Sequence, residues 1–261
     1  MTRRCENDGK SGGEFDGSMI SYKRQLWICG DIHGELSNLV WKASRQLKIK
    51  NAIILVVGDF GAGFGRPKSM DVAYAKVCAE LKEYDICLYT IRGNHDNPAF
   101  FDGSHDYERL HFLPDHRIVE LCGKKIYPIG GAVSTDFDLI DPLTQKSRRM
   151  QNDSLIRFGS SKRIWWPGEA PSKVLENLPE FADIVVSHEA PLSFEPPLMR
   201  DKHVRDDTWK KVVESRHYLD LVLNTVRPAR WFYGHYHNHY EGNFQGTHYR
   251  CLDIAEMTQI C

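Results

Sequence analysis

Five short apolar segments of this chain are each followed within three residues by an aspartate, an asparagine or a histidine, and in four of the five that residue comes directly after a glycine. The apolar runs are residues 26–29, 52–57, 86–91, 184–186 and 230–233. Continuous apolar runs of this length are typical of strands buried on both faces of an α/β sheet. Polar residues just beyond such strands lie at one edge of the sheet, where ligands bind. The five polar segments are therefore predicted to converge.

The polar segments carry side chains of the kinds that hold divalent metal ions. These side chains are Asp31, His33, Asp59, Asn94, His188, His235 and His237. Imidazole, carboxylate and amide oxygen suit metals such as Zn, Mn and Fe, and the five polar segments contain no cysteine. Extended backbone would point the members of each pair spaced by two residues, such as Asp31 and His33, to the same side. Each residue alone could be an ordinary turn residue, but their joint occurrence at strand ends favours a metal site.

The rest of the pattern predicts a single α/β domain over residues 23–261, because 261 residues fit one large domain. Apolar residues spaced by three and four positions predict crossover helices at 35–47, 69–83, 171–178 and 208–223. Short strands at 118–121 and 125–129 predict a hairpin that starts a second sheet. Residues 1–22 have few apolar side chains and are predicted to form a disordered tail, within which Met19 is an alternative start of translation.

Composition excludes several classes of partner. Acidic and basic residues number 35 and 34, for a net charge of -1, so no overall field favours stable nucleic-acid binding or an anionic membrane. No apolar run approaches the roughly 18 to 20 residues that span a bilayer, and no signal-peptide core is present. The seven cysteines are widely spaced and include no CxxC pair. They predict reduced thiols and a cytoplasmic location.

The order and composition of the polar segments resemble the motifs of the calcineurin-like metallophosphoesterase superfamily over residues 26–254. The matching segments are Gly30-Asp31-Ile32-His33-Gly34, Gly58-Asp59, Gly93-Asn94-His95-Asp96, Ser187-His188-Glu189 and Gly234-His235-Tyr236-His237. The resemblance implies two facing β-sheets flanked by helices, in an αββα sandwich. It also implies one ion held by Asp31, His33 and His237. A second ion is implied at Asn94, His188 and His235, with Asp59 bridging both.

The resemblance further implies hydrolysis of a small or nucleotide-like phosphomonoester or phosphodiester. Two ions, such as Mn, Fe or Zn, would activate a bridging hydroxide as the nucleophile. His95 matches the catalytic histidine of the family, which lies beside the phosphate and gives a proton to the leaving oxygen without binding metal. The choice between monoester and diester, the native metal and the oligomeric state stay open.

Two alternatives to this function remain at the level of sequence. Ser/Thr protein phosphatases of the superfamily carry Gly-Asp-x-x-Asp-Arg-Gly where this chain has Gly58-Asp59-Phe60-Gly61-Ala62-Gly63, so the Asp-Arg pair is missing. The other alternative is a catalytically silent metal-binding scaffold for protein interactions. The complete ligand set and His95 argue against the scaffold, because a scaffold has no need of an unliganded histidine beside the ions.

Irregular segments supply further candidates. Candidate phosphate contacts are Arg148, Arg149, His203 and Arg205, because guanidinium forks match phosphate geometry, although solvated loop charge is the alternative. Trp165 and Trp166 either stack on a nucleobase or anchor the loop. The glycine-rich residues 61–65 either open the site or form a turn. Segments 130–134 and 165–169 resemble uncharacterised bacterial and phage members of the superfamily. This resemblance does not identify a substrate.

Overall fold

Two β-sheets face each other in the computed structural model, which describes residues 24–139, 146–147, 150, 163–174 and 176–261. The strands are β1 (Gln25–Cys29), β2 (Ala52–Val56), β3 (Ile86–Thr90), β4 (Leu110–Phe112), β5 (Val119–Leu121), β6 (Lys124–Ile129), β7 (Ile184–Ser187), β8 (Arg230–Tyr233), β9 (Tyr240–Phe244), β10 (Thr247–Cys251) and β11 (Met257–Gln259). The helices are α1 (Leu36–Trp41), α2 (Pro67–Glu83) and α3 (Asp206–Val226). The predicted tail, Arg148 and Arg149 lie outside the described residues.

Each sheet is built around parallel strands. The first sheet has the order β11-β1-β2-β3-β4, and only β11 runs antiparallel to its neighbour. The second sheet has the order β5-β6-β7-β8-β10-β9, with antiparallel strands at its two edges. The hairpin of β5 and β6 confirms the predicted start of a second sheet.

Side chains at alternate positions of each strand point to opposite faces of its sheet, so the core has three layers. On β1, Leu26 and Ile28 face the second sheet and pack with Ile126 and Phe232. The opposite face of the first sheet packs against α1 and α2. The outer face of the second sheet packs against α3. The predicted sandwich of two sheets flanked by helices is therefore confirmed.

The helices differ from their predicted bounds in understandable ways. Helix α1 continues as a π-helix over Lys42–Gln46, so the predicted apolar stripe at 35–47 covers two kinds of helix. Helix α2 begins at Pro67, because proline fits the first helical turn, where its missing N–H leaves no hydrogen bond unmade. Helix α3 begins with Asp206 and Asp207, whose carboxylates suit a helix N-terminus.

The predicted helix at 171–178 is wrong for the residues that the structure describes there. Residues 171–174 and 176–178 are not helical. The N–H and the carbonyl of Val174 both bond to the hydroxyl of Tyr218, at 3.2 Å each. Asn177 has a φ of 63° and is followed by Leu178 and then Pro179, which disfavours helical backbone at the preceding residue. A side-chain partner and a proline thus override the apolar spacing.

The cysteine prediction holds only in part. Among the described residues, Cys29, Cys78, Cys251 and Cys261 are free cysteines. Cys87 is disulfide-bonded, so the prediction of a reduced thiol is wrong at this position. Spacing along the chain does not reveal which cysteines folding brings together. Separately, no helix among the described residues combines the length and the apolar character needed to cross a bilayer.

Candidate metal centre

The predicted ligand residues meet at the carboxyl ends of the central parallel strands. Asp31 and His33 follow β1, Asp59 follows β2, Asn94 and His95 follow β3, His188 follows β7, and His235 and His237 follow β8. The site therefore takes residues from both sheets. This convergence follows from topology, because parallel strands bring their carboxyl ends to the same edge.

Two glycines allow the sheets to approach closely at this edge. A Cβ atom on Gly58 would lie 2.3 Å from Nδ1 of His188, and one on Gly234 would lie 2.1 Å from Oδ1 of Asp31. Real atoms cannot come so close, so any side chain at either position would displace a candidate ligand. Gly58 also has a φ of 109°, which favours glycine.

The first donor group consists of Asp31, His33, Asp59 and His237, whose ligand atoms all lie within 4.8 Å of one another. Nε2 of His33 lies 2.9 Å from Nε2 of His237, which lies 3.3 Å from Oδ2 of Asp31. Two imidazole nitrogens and two carboxylates directed at one point suit a divalent cation. The residues present therefore fit a metal ion.

The second donor group consists of Asp59, Asn94, His188 and His235. Oδ1 of Asn94 lies 2.8 Å from Nε2 of His188 and 3.1 Å from Nδ1 of His235. Nε2 of His188 is also 3.4 Å from Oδ1 of Asp59. The other oxygen of Asp59, Oδ2, faces the first donor group at 3.8 Å from Nδ1 of His33. Asp59 thus presents one oxygen to each group.

The backbone at these residues is not extended as the sequence spacing suggested. His33, His235 and His237 have φ angles of 46°, 70° and 48°, and Asp59 has a φ of 47°. Non-glycine residues rarely adopt this left-handed conformation, which tends to occur at functional sites. The paired ligands therefore reach a common point through tight turns, and the prediction of an extended backbone is wrong.

The charges of the site are strongly coupled. Burial acts to raise the pKa of Asp59, but His188 outweighs it through its charge and its hydrogen bond and holds that pKa well below its usual value. Burial acts to lower the pKa of His188, whereas the carboxylates of Asp59 and Asp31 raise it to about 10. In the metal-free protein His188 is therefore protonated at neutral pH. A cation that binds Nε2 must displace that proton.

A carbonyl oxygen determines which nitrogen of His188 is available. Nδ1 of His188 lies 2.9 Å from the carbonyl oxygen of Val57. A carbonyl only accepts, so Nδ1 carries a proton in either charge state. Nε2 is then the nitrogen that can bind a cation, and it is the nitrogen that faces Asn94 and Asp59.

His95 lies beside the two donor groups and is held separately. Its Nδ1 is 2.7 Å from the carbonyl oxygen of Ile164, and its backbone N–H donates to Oδ1 of Asp59 at 2.9 Å. Because Nδ1 donates its hydrogen bond to that carbonyl, Nε2 is the nitrogen directed at the site, 4.0 Å from Oδ2 of Asp59. The ring of Phe137 lies 5.7 Å away, between ring centres. His95 is thus placed to exchange a proton with a bound molecule.

Sequence reasoning missed the role of Asp96, which is fully buried. Its carboxylate accepts hydrogen bonds from the backbone N–H groups of Phe60, Gly61, Ala62 and Gly93, at 3.1, 2.7, 2.8 and 2.8 Å. These bonds join the loop after β2 to the loop after β3. The first part of the glycine-rich segment is therefore a buried turn. An aspartate that directly follows two site residues was the signal available in the sequence.

The remaining predicted contacts lie apart from both donor groups. His203 and Arg205 are exposed in the segment before α3, and the guanidinium of Arg205 binds both carboxylate oxygens of Asp207 at 3.0 and 2.9 Å. Among the described residues, neither side chain bonds to the two donor groups. The ring of Trp166 lies 4.3 Å from the guanidinium carbon of Arg163 and packs against Gly63, as an anchor for its loop would.

Comparison with protein families matches residues 24–239 to the calcineurin-like phosphoesterases. The chain belongs to the calcineurin-like phosphoesterase family. No curated protein matches the chain.

Several solved structures resemble the chain at low identity. One is the phosphopantetheinyl hydrolase PptH from Mycobacterium tuberculosis, with 13% identity, a TM-score of 0.47, and coverage of 90% of this chain and 91% of that one. Another is a putative 5'-nucleotidase from Staphylococcus aureus, with 13% identity, a TM-score of 0.38, and coverage of 88% and 48%. A third is GAP50 of Plasmodium, with 13% identity, a TM-score of 0.40, and coverage of 88% and 72%. None of these values bears on the substrate of this chain.

Proposed function

We propose that the protein is a dinuclear metal-dependent phosphoesterase that hydrolyses a small or nucleotide-like phosphomonoester or phosphodiester. Membership of the family supports the reaction class. The observation that carries the proposal is the position of Asp59, whose two carboxylate oxygens face two separate groups of donors. A near-zero net charge favours a small phosphoester over a nucleic acid as the partner.

In this proposal each donor group holds one ion. Asp31, His33 and His237 would hold the first ion, Asn94, His188 and His235 would hold the second, and Asp59 would contribute an oxygen to each. When bound, a pair of ions such as Mn, Fe or Zn lowers the pKa of a water and neutralises charge on the phosphoryl oxygens during an in-line displacement. The mixture of imidazole, carboxylate and amide donors suits these metals.

The protein itself supplies the proton for the leaving oxygen. Nδ1–H of His95 is bonded to the carbonyl of Ile164, so when the ring is an imidazolium Nε2 can give its proton to an alkoxide as the ester bond breaks, which leaves the neutral ring. The backbone N–H of His95 is bonded to Asp59, which fixes the distance between the proton donor and the donor groups. Asp96 bonds to both supporting loops and so fixes their relative position.

A panel of substrates tests the proposal. Metal-depleted protein is incubated with and without Mn²⁺, Zn²⁺ or Fe²⁺ on an aryl phosphomonoester, an aryl phosphodiester, nucleoside monophosphates, cyclic nucleotides and a phosphoserine peptide. We expect turnover of small esters only when metal is added. Turnover of the peptide alone would indicate a protein phosphatase. Metal binding without turnover of any substrate would indicate the scaffold and contradict the proposal.

A further inference from the structure

We infer that Ser134 and Glu169 are positioning residues that orient the amide of Asn94, so that its oxygen faces the second donor group. This inference rests on the proposed function, because it concerns how that group receives its cation. Ser134 ends segment 130–134 and Glu169 ends segment 165–169. The reaction described above gives neither segment a role.

The three side chains form a continuous chain of hydrogen bonds, the Asn94–Ser134–Glu169 relay. Nδ2 of Asn94 donates to Oγ of Ser134 at 2.8 Å, and Oγ of Ser134 donates to Oε2 of Glu169 at 2.6 Å. The exposed fractions are 1% for Asn94, 1% for Ser134 and 8% for Glu169. Water is thus largely excluded from the relay, and its members depend on one another for hydrogen bonds.

The relay has a direction that follows from the chemistry of its ends. A carboxylate only accepts, so the single proton of the Ser134 hydroxyl is directed to Glu169. The hydroxyl oxygen then offers only lone pairs to Asn94, and the amide group must present its NH₂ end there. Its oxygen is left facing His188 and His235, at 2.8 and 3.1 Å.

The orientation matters because the two ends of an amide have nearly the same shape but opposite chemistry. A rotation of 180° would exchange the oxygen of Asn94 for an NH₂ group, which cannot bind a cation. A turned amide would also direct N–H groups toward the site of positive charge. The relay therefore selects the only orientation of Asn94 that is useful for metal binding.

The backbone that carries the carboxylate end of the relay is itself rigidly held. Arg92 is buried and donates to the carbonyl oxygens of Gly168, Glu169 and Ala170, at 3.0, 2.8 and 3.2 Å. The same guanidinium donates to the carbonyl oxygen of Gly130 at 3.2 Å. One side chain thus joins the two segments of the relay to the start of the loop after β3. Arg92 therefore holds the backbone at both segments of the relay.

Ser134→Ala is expected to weaken one metal site and spare the other. It leaves the NH₂ group of Asn94 without its acceptor, so the amide is free to turn. Loss of a group that orients a metal ligand typically lowers metal affinity about 10- to 100-fold. The loss should fall on the second donor group, while the first should bind its ion as in the wild type. Ser134→Thr keeps the hydroxyl and should restore affinity.

The test is a calorimetric titration of the metal-depleted full chain with Zn²⁺, with thermal unfolding measured on each variant. A double-mutant cycle with Asn94→Ala separates positioning from general stabilisation. If Ser134 acts through Asn94, adding Ser134→Ala to Asn94→Ala should cause no further loss of affinity. Glu169→Ala removes the other end of the relay and should also weaken the second site selectively. If Ser134→Ala fails to fold, Glu169→Ala replaces it in the test.

The outcomes distinguish this inference from the proposed function. Wild-type protein that binds no pair of ions would overturn both. Two ions in the wild type, with unchanged titrations for Ser134→Ala and Glu169→Ala, would overturn the inference alone. Equal weakening of both sites, or a further loss in the Asn94→Ala background, would show a merely structural effect and would also overturn it.

Discussion

Asp59→Asn is expected to lower the metal content and the turnover of the protein together. Asp59 is almost fully buried and presents an oxygen to each donor group. Asparagine removes the negative charge and replaces one oxygen with an NH₂ group that cannot bind a cation. Loss of a residue that merely orients a ligand already lowers affinity about 10- to 100-fold, so loss of a shared ligand should exceed about 100-fold.

The measurement for Asp59→Asn is metal per chain by elemental analysis, with turnover of an aryl phosphate ester in the same sample. Asp102→Asn is a matched control, because Asp102 is exposed and bonds to the backbone N–H of Ser104. The control should behave as wild type. If Asp59→Asn keeps both ions and normal turnover, Asp59 is not the shared ligand.

His95→Ala should spare metal binding and lower turnover. General acid catalysis by one positioned side chain typically contributes about 10²- to 10⁴-fold, and we expect a loss of that size on an alkyl ester. A nitrophenolate leaves more readily without a proton, so the loss on an aryl ester should be smaller. Metal should be retained because Nδ1 of His95 bonds to Ile164 and its ring lies outside the first donor group. Retained metal would show that the loss of turnover is not caused by the loss of a metal ligand.

The informative quantity for His95→Ala is the loss on the alkyl ester divided by the loss on the aryl ester. His217→Ala is a suitable control, because His217 is exposed on α3. A ratio near one would contradict a role in protonating the leaving group. Unchanged rates on both esters would contradict any catalytic role for His95.

The sequence predicted the convergence of the candidate ligands because that convergence depends on strands, which have a strong local signal. β2 and β3 are buried at every position, and their continuous apolar runs show this directly. The strands that were missed, β4, β9, β10 and β11, contain no continuous apolar run. β9 has no fully buried residue, and β4 and β11 have only three residues each.

Features that depend on contacts between distant residues could not be predicted. Asp96 bonds to a loop more than thirty positions earlier, and Ser134 joins Asn94 to Glu169 across separations of 40 and 35 residues. The spacing of apolar residues along the sequence does not indicate such bonds. The non-helical course of residues 171–174 and 176–178 has the same origin, since the hydroxyl of Tyr218 supplies the partner for Val174.

The central claim is that two ions bind and that hydrolysis depends on them. The most direct measurement is a stepwise addition of Mn²⁺ to metal-depleted wild-type protein, with bound metal and turnover of an aryl phosphate ester recorded at each step. We predict about two equivalents bound per chain, no turnover in excess chelator, and recovery of turnover as the sites fill. Full turnover in excess chelator, or a metal content near zero after reconstitution, would contradict the account.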